Sequence, residues 1–189
     1  MVRLDKIVTK AGDGGKTRLA TGEQVSKAHA RVAAYGAVDE ANSAIGVARL
    51  HTTADPVLDP LLDRVQNDLF DLGADLATPH APDLKFEPLR IQSNQVARLE
   101  REIEMLLEDL PEITSFVLPG GTPTAAHLHV ARAMMRRAER AIVELAEVEE
   151  ISAEAIKYAN RLSDLLFVAA RWANDRGRGD LLWKPGANR

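Results

Sequence analysis

TPTAAHLHVARAMMRRAERAIVELAE, residues 122–147, contains no proline or glycine after Pro123. Thr122 suits the capping position before a helix, and proline is favoured at the first helical position. The stretch therefore predicts a helix from about Pro123 to Glu147, roughly 25 residues and roughly 37 Å long.

Four further segments repeat apolar side chains every three to four residues, which is the spacing typical of a helix. They are separated by Asp55-Pro56, by a loop with three prolines, by Pro111 and by a short break. Ser93 or Asn94 is the expected N-cap of the third helix. The four predicted helices cover residues 28–50, 58–76, 91–110 and 153–175; the loop with three prolines covers 78–89.

Five long helices with short connections predict an all-α fold, a five-helix up-down bundle. The length of 189 residues suits one hydrophobic core, so residues 1–189 are expected to form a single domain. Its parts are an irregular, basic N-terminal arm at 1–27, the helical bundle at 28–176 and a tail at 177–189, where glycines stop the last helix.

Composition excludes several classes of protein. The net charge of −4 gives no basic field for binding nucleic acid. The absence of cysteine excludes disulfides, thiolate metal sites and thiol catalysis. No stretch approaches the roughly 20 uninterrupted apolar residues of a membrane span, and the N-terminus lacks the apolar run of a signal peptide. We expect a cytoplasmic protein without nucleic-acid or membrane partners.

KIVTKAGDGGKT, residues 6–17, is rich in glycine, lysine and threonine. Glycines bring backbone N–H groups close to a ligand, and lysines and hydroxyls suit a polyphosphate. A Walker A loop needs four residues between its glycines, whereas two separate Gly12 from Gly15, and Lys10 stands where the first glycine belongs. The stretch predicts nucleotide binding outside the P-loop class; a disordered tail is the alternative.

A polar stripe follows one side of the helix at 122–147. At 100° per residue, Arg136, Glu139 and Arg140 fall within about 80° of Arg132, and His129 lies at about +60°. One interpretation is a solvated face with ion pairs such as Arg136–Glu139. The other is a wall that binds a triphosphate, because guanidinium groups bind phosphate oxygens bidentately.

Neighbouring helices carry matching polar side chains. Asn160, Asp164 and Arg171 share one face of the last helix, and Asn160 can bond a ribose, a base edge or a neighbouring helix. Asp39 and Asn42 share a face of the first helix, between apolar positions.

The sequence lacks the residue patterns that metal chelation and nucleophilic catalysis require. His127 and His129 are two residues apart and point about 200° apart on a helix, so they cannot bind one ion together. No serine–histidine arrangement of the nucleophile–base kind is present. A reaction that runs on phosphate binding and charge, without proton transfer, needs neither.

Five segments that span nearly the whole chain, together with Lys27, resemble the PduO-type ATP:cob(I)alamin adenosyltransferases, and they stand in the order of that family. One departure is Ala11, where members commonly have threonine, which removes one hydroxyl contact. The segments are TKAGDGGKT at 9–17, AYGAVDEANS at 34–43, FVLPGGT at 116–122, ARAMMRRAER at 131–140 and NRLSDLLF at 160–167.

The resemblance implies a ferritin-like, cobalamin adenosyltransferase-like bundle that assembles as a homotrimer with active sites between subunits. Asp39 and Arg132 match an inter-subunit salt bridge. Phe116 matches an aromatic residue that displaces the lower axial ligand of cobalamin. ATP is then expected to bind Thr9, Lys10, Ala11, Gly12, Thr17, Arg18 and Lys27 of one subunit and Arg136, Arg137, Glu139, Arg140 and Asn160 of the next.

The activity implied by the resemblance is transfer of the 5′-deoxyadenosyl group of ATP to cobalt of cob(I)alamin, giving adenosylcobalamin and triphosphate. Mg²⁺ is expected on the ATP phosphates, with no protein ligand assigned to it. A cobalamin reductase and an adenosylcobalamin-dependent enzyme are the implied protein partners. Two alternatives stay open: a non-catalytic nucleotide- or adenosylcobalamin-binding sensor or chaperone, and a plain helical scaffold.

Overall fold

The structure, a computed structural model, describes residues 7–189. Lys6, the first residue of the glycine-rich stretch, lies outside the described residues. Five long helices dominate, which confirms the predicted bundle. Their bounds are α1 Ala30–Arg49, α2 Leu58–Leu76, α3 Ser93–Leu107, α4 Pro123–Ala146 and α5 Ala153–Ala173.

Local sequence signals explain most of the helix ends. The Thr122 hydroxyl accepts a hydrogen bond from the Ala125 N–H at 3.2 Å, and Pro123 follows it, as predicted. The prediction for α3 was wrong by one or two residues. Its N-cap is Gln92, whose N–H donates to the Gln95 side-chain oxygen at 2.9 Å.

Helix α4 packs against both α1 and α5. Helix α1 packs on α4 and α2, while α5 packs on α4 and α3. Small side chains, Ala34 and Ala41 on α1 and Ala131 and Ala138 on α4, are fully buried. Because the size of side chains at a crossing sets the distance between helix axes, these alanines let α1 approach α4 closely. Buried leucines of α2, α3 and α5 complete the same hydrophobic core.

Arg31 joins three elements at one end of the bundle. Its side chain is 1% exposed. Its guanidinium donates to Glu149, between α4 and α5, at 2.5 Å and to the Leu76 carbonyl oxygen, at the end of α2, at 2.6 Å. The start of α1 is thereby tied to the ends of α2 and α4.

Arg31→Ala is expected to lower the free energy of unfolding by about 3 kcal/mol, since it leaves a carboxylate and a buried carbonyl without their partner. Urea unfolding measures this. Lys157→Ala, which removes an exposed pair with Glu154, is the control and should cost less than about 0.5 kcal/mol. Equal losses in the two variants would contradict the role given to Arg31.

The N-terminal arm is more regular than predicted. Lys16–Arg18 (β1) and Gln24–Ser26 (β2) form an antiparallel hairpin in which Thr17 faces Val25. Leu19 at its turn is buried, and the Ala20 N–H donates to the Ala77 carbonyl oxygen at 3.1 Å. The hairpin is therefore attached to the C-terminal end of α2.

The predicted tail is likewise attached. Residues 177–183, called here the C-terminal strap, run back along the loop that precedes α4. Leu182 pairs with Val117 in an antiparallel bridge. The Leu118 N–H donates to the Leu181 carbonyl oxygen, and the Trp183 N–H donates to the Phe116 carbonyl oxygen, both at 2.7 Å.

Candidate functional site

Two of the grooves beside α4 contain residues that the sequence assigned to the site. The first, called the polar groove, has a volume of about 580 Å³ and lies between the C-terminal half of α4 and the start of α5. The second, called the aromatic groove, has a volume of about 570 Å³ and lies between α4, α5, the 113–117 loop and the strap. The polar groove is lined by Arg136, Glu139, Arg140, Val143, Glu144, Glu147 and Asn160.

The polar groove brings together four of the residues predicted to bind ATP. Asn160 donates to a Glu139 carboxylate oxygen at 2.9 Å, and an Arg140 guanidinium nitrogen donates to the Arg136 carbonyl oxygen at 3.2 Å. Neither arginine forms an ion pair with any residue in the described range 7–189. The Arg136–Glu139 ion pair given as an example for a solvated face is therefore not formed, and Arg136 and Arg140 are both exposed, so their guanidinium groups are accessible to an anion.

The aromatic groove presents Phe116 to solvent. This side chain is 78% exposed, so it does not serve as core beside Val117 and Leu118. The Phe116 ring lies 6.0 Å from the Trp183 ring at an interplanar angle of 51°. Two aromatic side chains thus form one wall of the groove, and Phe167 of α5 and Arg132 of α4 also line it.

Arg132 is charged but poorly compensated. Its Nε is buried and has no hydrogen-bond partner among residues 7–189. Burial, and secondarily the nearby Arg136, lower the pKa of the Arg132 guanidinium. Both causes disfavour a positive charge, so a carboxylate from outside this copy would be stabilising.

Asp39 does not supply that carboxylate within one copy. It is exposed on α1 and lines two other grooves, one with Val47, Val130 and Met134 and one beside Tyr35. No ion pair joins it to Arg132 in the part of the chain that the structure describes. Asn42, on the same helix, is instead buried and donates to the Gln66 carbonyl oxygen at 3.2 Å.

The arm gathers its predicted ATP-binding residues around one loop. Lys10 adopts a φ of +60°, and the Asp13 N–H donates to its carbonyl oxygen at 3.3 Å. A Cβ on Gly12 would lie 2.9 Å from the Lys27 ammonium nitrogen, so glycine lets this lysine approach the loop. Thr17 and Arg18 follow on β1. No hydrogen bond or ion pair among the described residues links the arm to the polar groove.

Three sequence-based placements differ from the structure. Arg137 does not line the polar groove; it pairs with Glu40 of α1. Arg171 does not join a polar stripe; its side chain is 4% exposed and bound to Asp180. Val130, which the helical spacing puts opposite the polar stripe with the other apolar residues of α4, is 48% exposed, because the buried face of α4 is centred on Ala131 and Met135.

His129 was expected on the polar stripe, but it is 3% exposed. It points away from His127, which stacks on His51 at 5.5 Å, so the two histidines do not converge. Neither ring nitrogen of His129 has a partner in the described structure. Burial, with a smaller contribution from Arg132, lowers its pKa below the usual 6.5.

The lowered pKa of His129 predicts an acid-sensitive fold. Below pH 6.5 the unfolded chain takes up a proton that folded His129 does not, so the free energy of unfolding falls as the pH drops through this range and is fully retained above it. Urea unfolding at pH 8 and at pH 5 should show a smaller difference for His129→Leu than for the natural chain. Identical differences would contradict the interpretation.

Residues 7–189 contain no group of three or more histidine, aspartate or glutamate side chains arranged to hold a metal ion. None of the described helices is long and apolar enough to cross a membrane.

Trp183 is the main site residue that the sequence did not indicate. It lies 67 positions after Phe116, in a segment predicted to be a tail. An aromatic residue shortly before the C-terminus was the only available signal, and nothing local showed where it would pack.

The described residues thus form a helical bundle in which an arginine-lined groove lies beside an aromatic groove on the same helix. Residues 7–173 match the family model for cobalamin adenosyltransferase. A corrinoid adenosyltransferase from Mycobacterium tuberculosis is 48% identical over 191 residues, which cover 100% of this chain and 97% of that protein. The chain belongs to the cobalamin adenosyltransferase family, in its PduO-type branch.

Solved structures agree with this assignment. One is a phenylalanine-to-alanine variant of a PduO-type ATP:corrinoid adenosyltransferase from Lactobacillus reuteri, complexed with cobalamin and ATP. Its TM-score is 0.89 at 42% identity, covering 95% of this chain and 99% of that one. An arginine-to-lysine variant complexed with ATP has a TM-score of 0.82 at 43% identity, covering 94% and 100%.

Proposed function

We propose that this chain transfers the 5′-deoxyadenosyl group of ATP to cobalt of cob(I)alamin, forming adenosylcobalamin and releasing triphosphate. The observation that carries the proposal is the order of the two grooves on α4. Arg132 lines the aromatic groove and Arg136 lines the polar groove, one helical turn or about 6 Å further along. A nucleotide in one groove and a corrin in the other would be neighbours.

In this proposal ATP is held by the polar groove and the arm. Arg136 and Arg140 bind phosphate oxygens, while the Asn160–Glu139 pair offers polar atoms to the ribose or base. Arg137 joins them by exchanging Glu40 for phosphate. The arm supplies lysines, hydroxyls and N–H groups through Thr9, Lys10, Ala11, Gly12, Thr17, Arg18 and Lys27.

The aromatic groove would take the corrinoid. An exposed phenylalanine on a loop is a ready apolar surface for the lower face of a corrin ring. In that position Phe116 would exclude the lower axial ligand of the corrinoid substrate. The cobalt would then be four-coordinate, and a four-coordinate corrinoid is easier to reduce. Trp183 supports Phe116 from the strap side.

The reaction requires the protein to position the two substrates and to stabilise the charge of the leaving group. Cobalt(I) attacks C5′ in line with the departing triphosphate, so the Co–C bond forms as the C5′–O bond breaks, and no proton moves. Arginines, lysines and N–H groups stabilise the charge on the leaving triphosphate. Holding C5′ near cobalt is the second contribution.

Mg²⁺ is expected with the nucleotide. Carboxylates of Glu144 and Glu147 line the polar groove, and oxygen ligands suit this ion. Since the described carboxylates do not form a complete cluster, phosphate oxygens would provide the other ligands. The ion would neutralise part of the charge on the triphosphate.

We also propose that the active unit is a homotrimer with sites between subunits. The absence of a link between the arm and the polar groove within the described copy supports this. So do the incompletely paired Arg132 and the exposed Asp39 beside apolar Val47 and Val130. An Asp39–Arg132 pair between copies would satisfy both charges.

The reaction implies two protein partners. It consumes cobalt(I), so a cobalamin reductase must supply the reduced corrinoid, and an adenosylcobalamin-dependent enzyme would use the product. A reducing, ATP-rich cytoplasm suits this sequence of steps.

The test is to mix the protein with MgATP and chemically reduced cobalamin and to record the absorbance spectrum. Light-sensitive adenosylcobalamin should form in the presence of protein. If ATP binds but no adenosylcobalamin forms, the protein is a sensor or chaperone; if ATP does not bind, it is a scaffold. Either result overturns the proposal.

A further inference from the structure

Asp180 lies at the centre of a buried hydrogen-bond cluster that the adenosyl transfer itself does not use. One carboxylate oxygen accepts from the Arg171 guanidinium at 2.7 Å, and the other accepts from the Asn174 side-chain amide at 3.1 Å. The side chains of Asp180 and Arg171 are each 4% exposed, so this ion pair is held away from water.

The same cluster fixes both ends of the loop that carries Phe116. At the start of the loop, the Pro111 carbonyl oxygen accepts from Arg171 at 2.7 Å. At its end, the Thr122 N–H donates to the Asn174 side-chain oxygen at 3.1 Å. Arg171 and Asn174, which hold the two ends of the loop, both donate to Asp180.

Gly121 shows how closely the cluster and the loop fit. Its φ is +102°, and a Cβ there would lie 2.2 Å from the Asn174 side-chain oxygen. Only a residue without a side chain leaves room for Asn174 beneath the loop. The loop and the end of α5 are therefore matched to one another in shape as well as in hydrogen bonding.

The part of the strap that follows Asp180 pairs with the segment that contains Phe116. Leu181 and Trp183 pair with Leu118 and Phe116 through backbone hydrogen bonds of 2.7 Å. The Ser115 hydroxyl adds a third bond by donating to the Trp183 carbonyl oxygen at 2.7 Å. The position of both aromatic rings thus depends on where Asp180 anchors the strap.

We infer that Asp180 is a positioning residue for the corrinoid half of the site: it anchors the strap and the 111–122 loop together, so that Phe116 and Trp183 form one rigid wall. It acts through these two residues without touching either substrate. This inference rests on the proposed function, because it assigns the aromatic groove to the corrinoid.

The experiment is Asp180→Asn, which keeps the shape of the side chain but turns an amide donor or a neutral oxygen toward Arg171. The KM for corrinoid should rise by about tenfold, since small misplacements of binding groups have large effects. The KM for ATP should stay within about twofold, because the polar groove is separate. Equal changes in both constants, or none, would overturn the inference.

A second readout does not need turnover. The chain contains two tryptophans, so Trp172→Phe leaves Trp183 as the only one. In that background, Asp180→Asn should shift Trp183 emission to longer wavelength and increase its quenching by acrylamide, with unchanged far-ultraviolet circular dichroism. Unchanged emission would overturn the inference even if the natural chain forms no adenosylcobalamin, so the two failures can be told apart.

Two further variants separate positioning from general stability. Glu102→Gln weakens the pair of Glu102, whose side chain is 10% exposed, with Arg64 of α2, and neither residue lines the aromatic groove; it should lower stability and leave the corrinoid KM unchanged. Should Asp180→Asn not fold, Ser115→Ala tests the same strap from the surface, with the same emission shift and a smaller rise in corrinoid KM. No response in Ser115→Ala would then contradict the inference.

Discussion

Phe116→Ala is expected to reduce turnover on the order of 100-fold while ATP binding changes by less than about twofold. The ring is 78% exposed and makes no contribution to the helical core, so the bundle should remain folded. Its loss removes the apolar surface proposed to exclude the lower ligand of the corrinoid. Turnover by absorbance and ATP affinity by calorimetry measure the two effects.

Met105→Ala is the matched control for Phe116→Ala. Met105 is a large apolar side chain of α3 that is 44% exposed, and it lies outside both grooves. Its replacement should leave turnover and ATP affinity at the level of the natural chain. Proportional losses of turnover and ATP affinity in Phe116→Ala would show that Phe116 supports the whole structure and not the corrinoid site.

Arg132→Ala is expected to reduce turnover by a similar factor, on the order of 100-fold, without unfolding the bundle. Within one copy, burial and Arg136 both lower the pKa of Arg132, so its charge does not stabilise the isolated fold. The free energy of unfolding should change by less than about 1 kcal/mol. Activity assays and urea unfolding of the same sample test both parts.

Subunit mixing shows whether Arg132 acts between copies. Asp39→Ala and Arg132→Ala chains are each expected to have strongly reduced turnover alone. Unfolded and refolded together, they should regain activity, because some interfaces then combine a natural Asp39 with a natural Arg132. A mixture as inactive as its components would place both residues in one subunit and contradict the trimer site.

Features of the structure that depend on a few neighbouring residues could be predicted from the sequence. The bounds of α2 and the Thr122 cap of α4 follow from apolar spacing and from the pairing of threonine with proline. The conjunction of glycine loop, arginine-rich helix and Phe116 segment identified the family, and the polar groove does bring Arg136, Glu139, Arg140 and Asn160 together.

Features that depend on distant pairing were not predictable in the same way. The strap joins residues 181–183 to 116–118, and no periodicity in a short segment reveals its partner. Arg171 has the spacing of a surface stripe, yet Asp180 draws it inward. His129 is polar by type but is buried, because α5 covers that side of α4. In each case tertiary contacts, and not the local sequence preference, determine where the residue lies.

The most direct test of the proposed function follows the fate of C5′. The protein is given ATP labelled with ¹³C at C5′, Mg²⁺ and chemically reduced cobalamin, and the products of a single turnover are analysed by NMR and phosphate chromatography. We predict that the labelled carbon is bonded to cobalt and that one intact triphosphate is released per adenosylcobalamin. Label that remains in ATP, or that appears in ADP or AMP without a cobalt–carbon bond, would contradict the assignment.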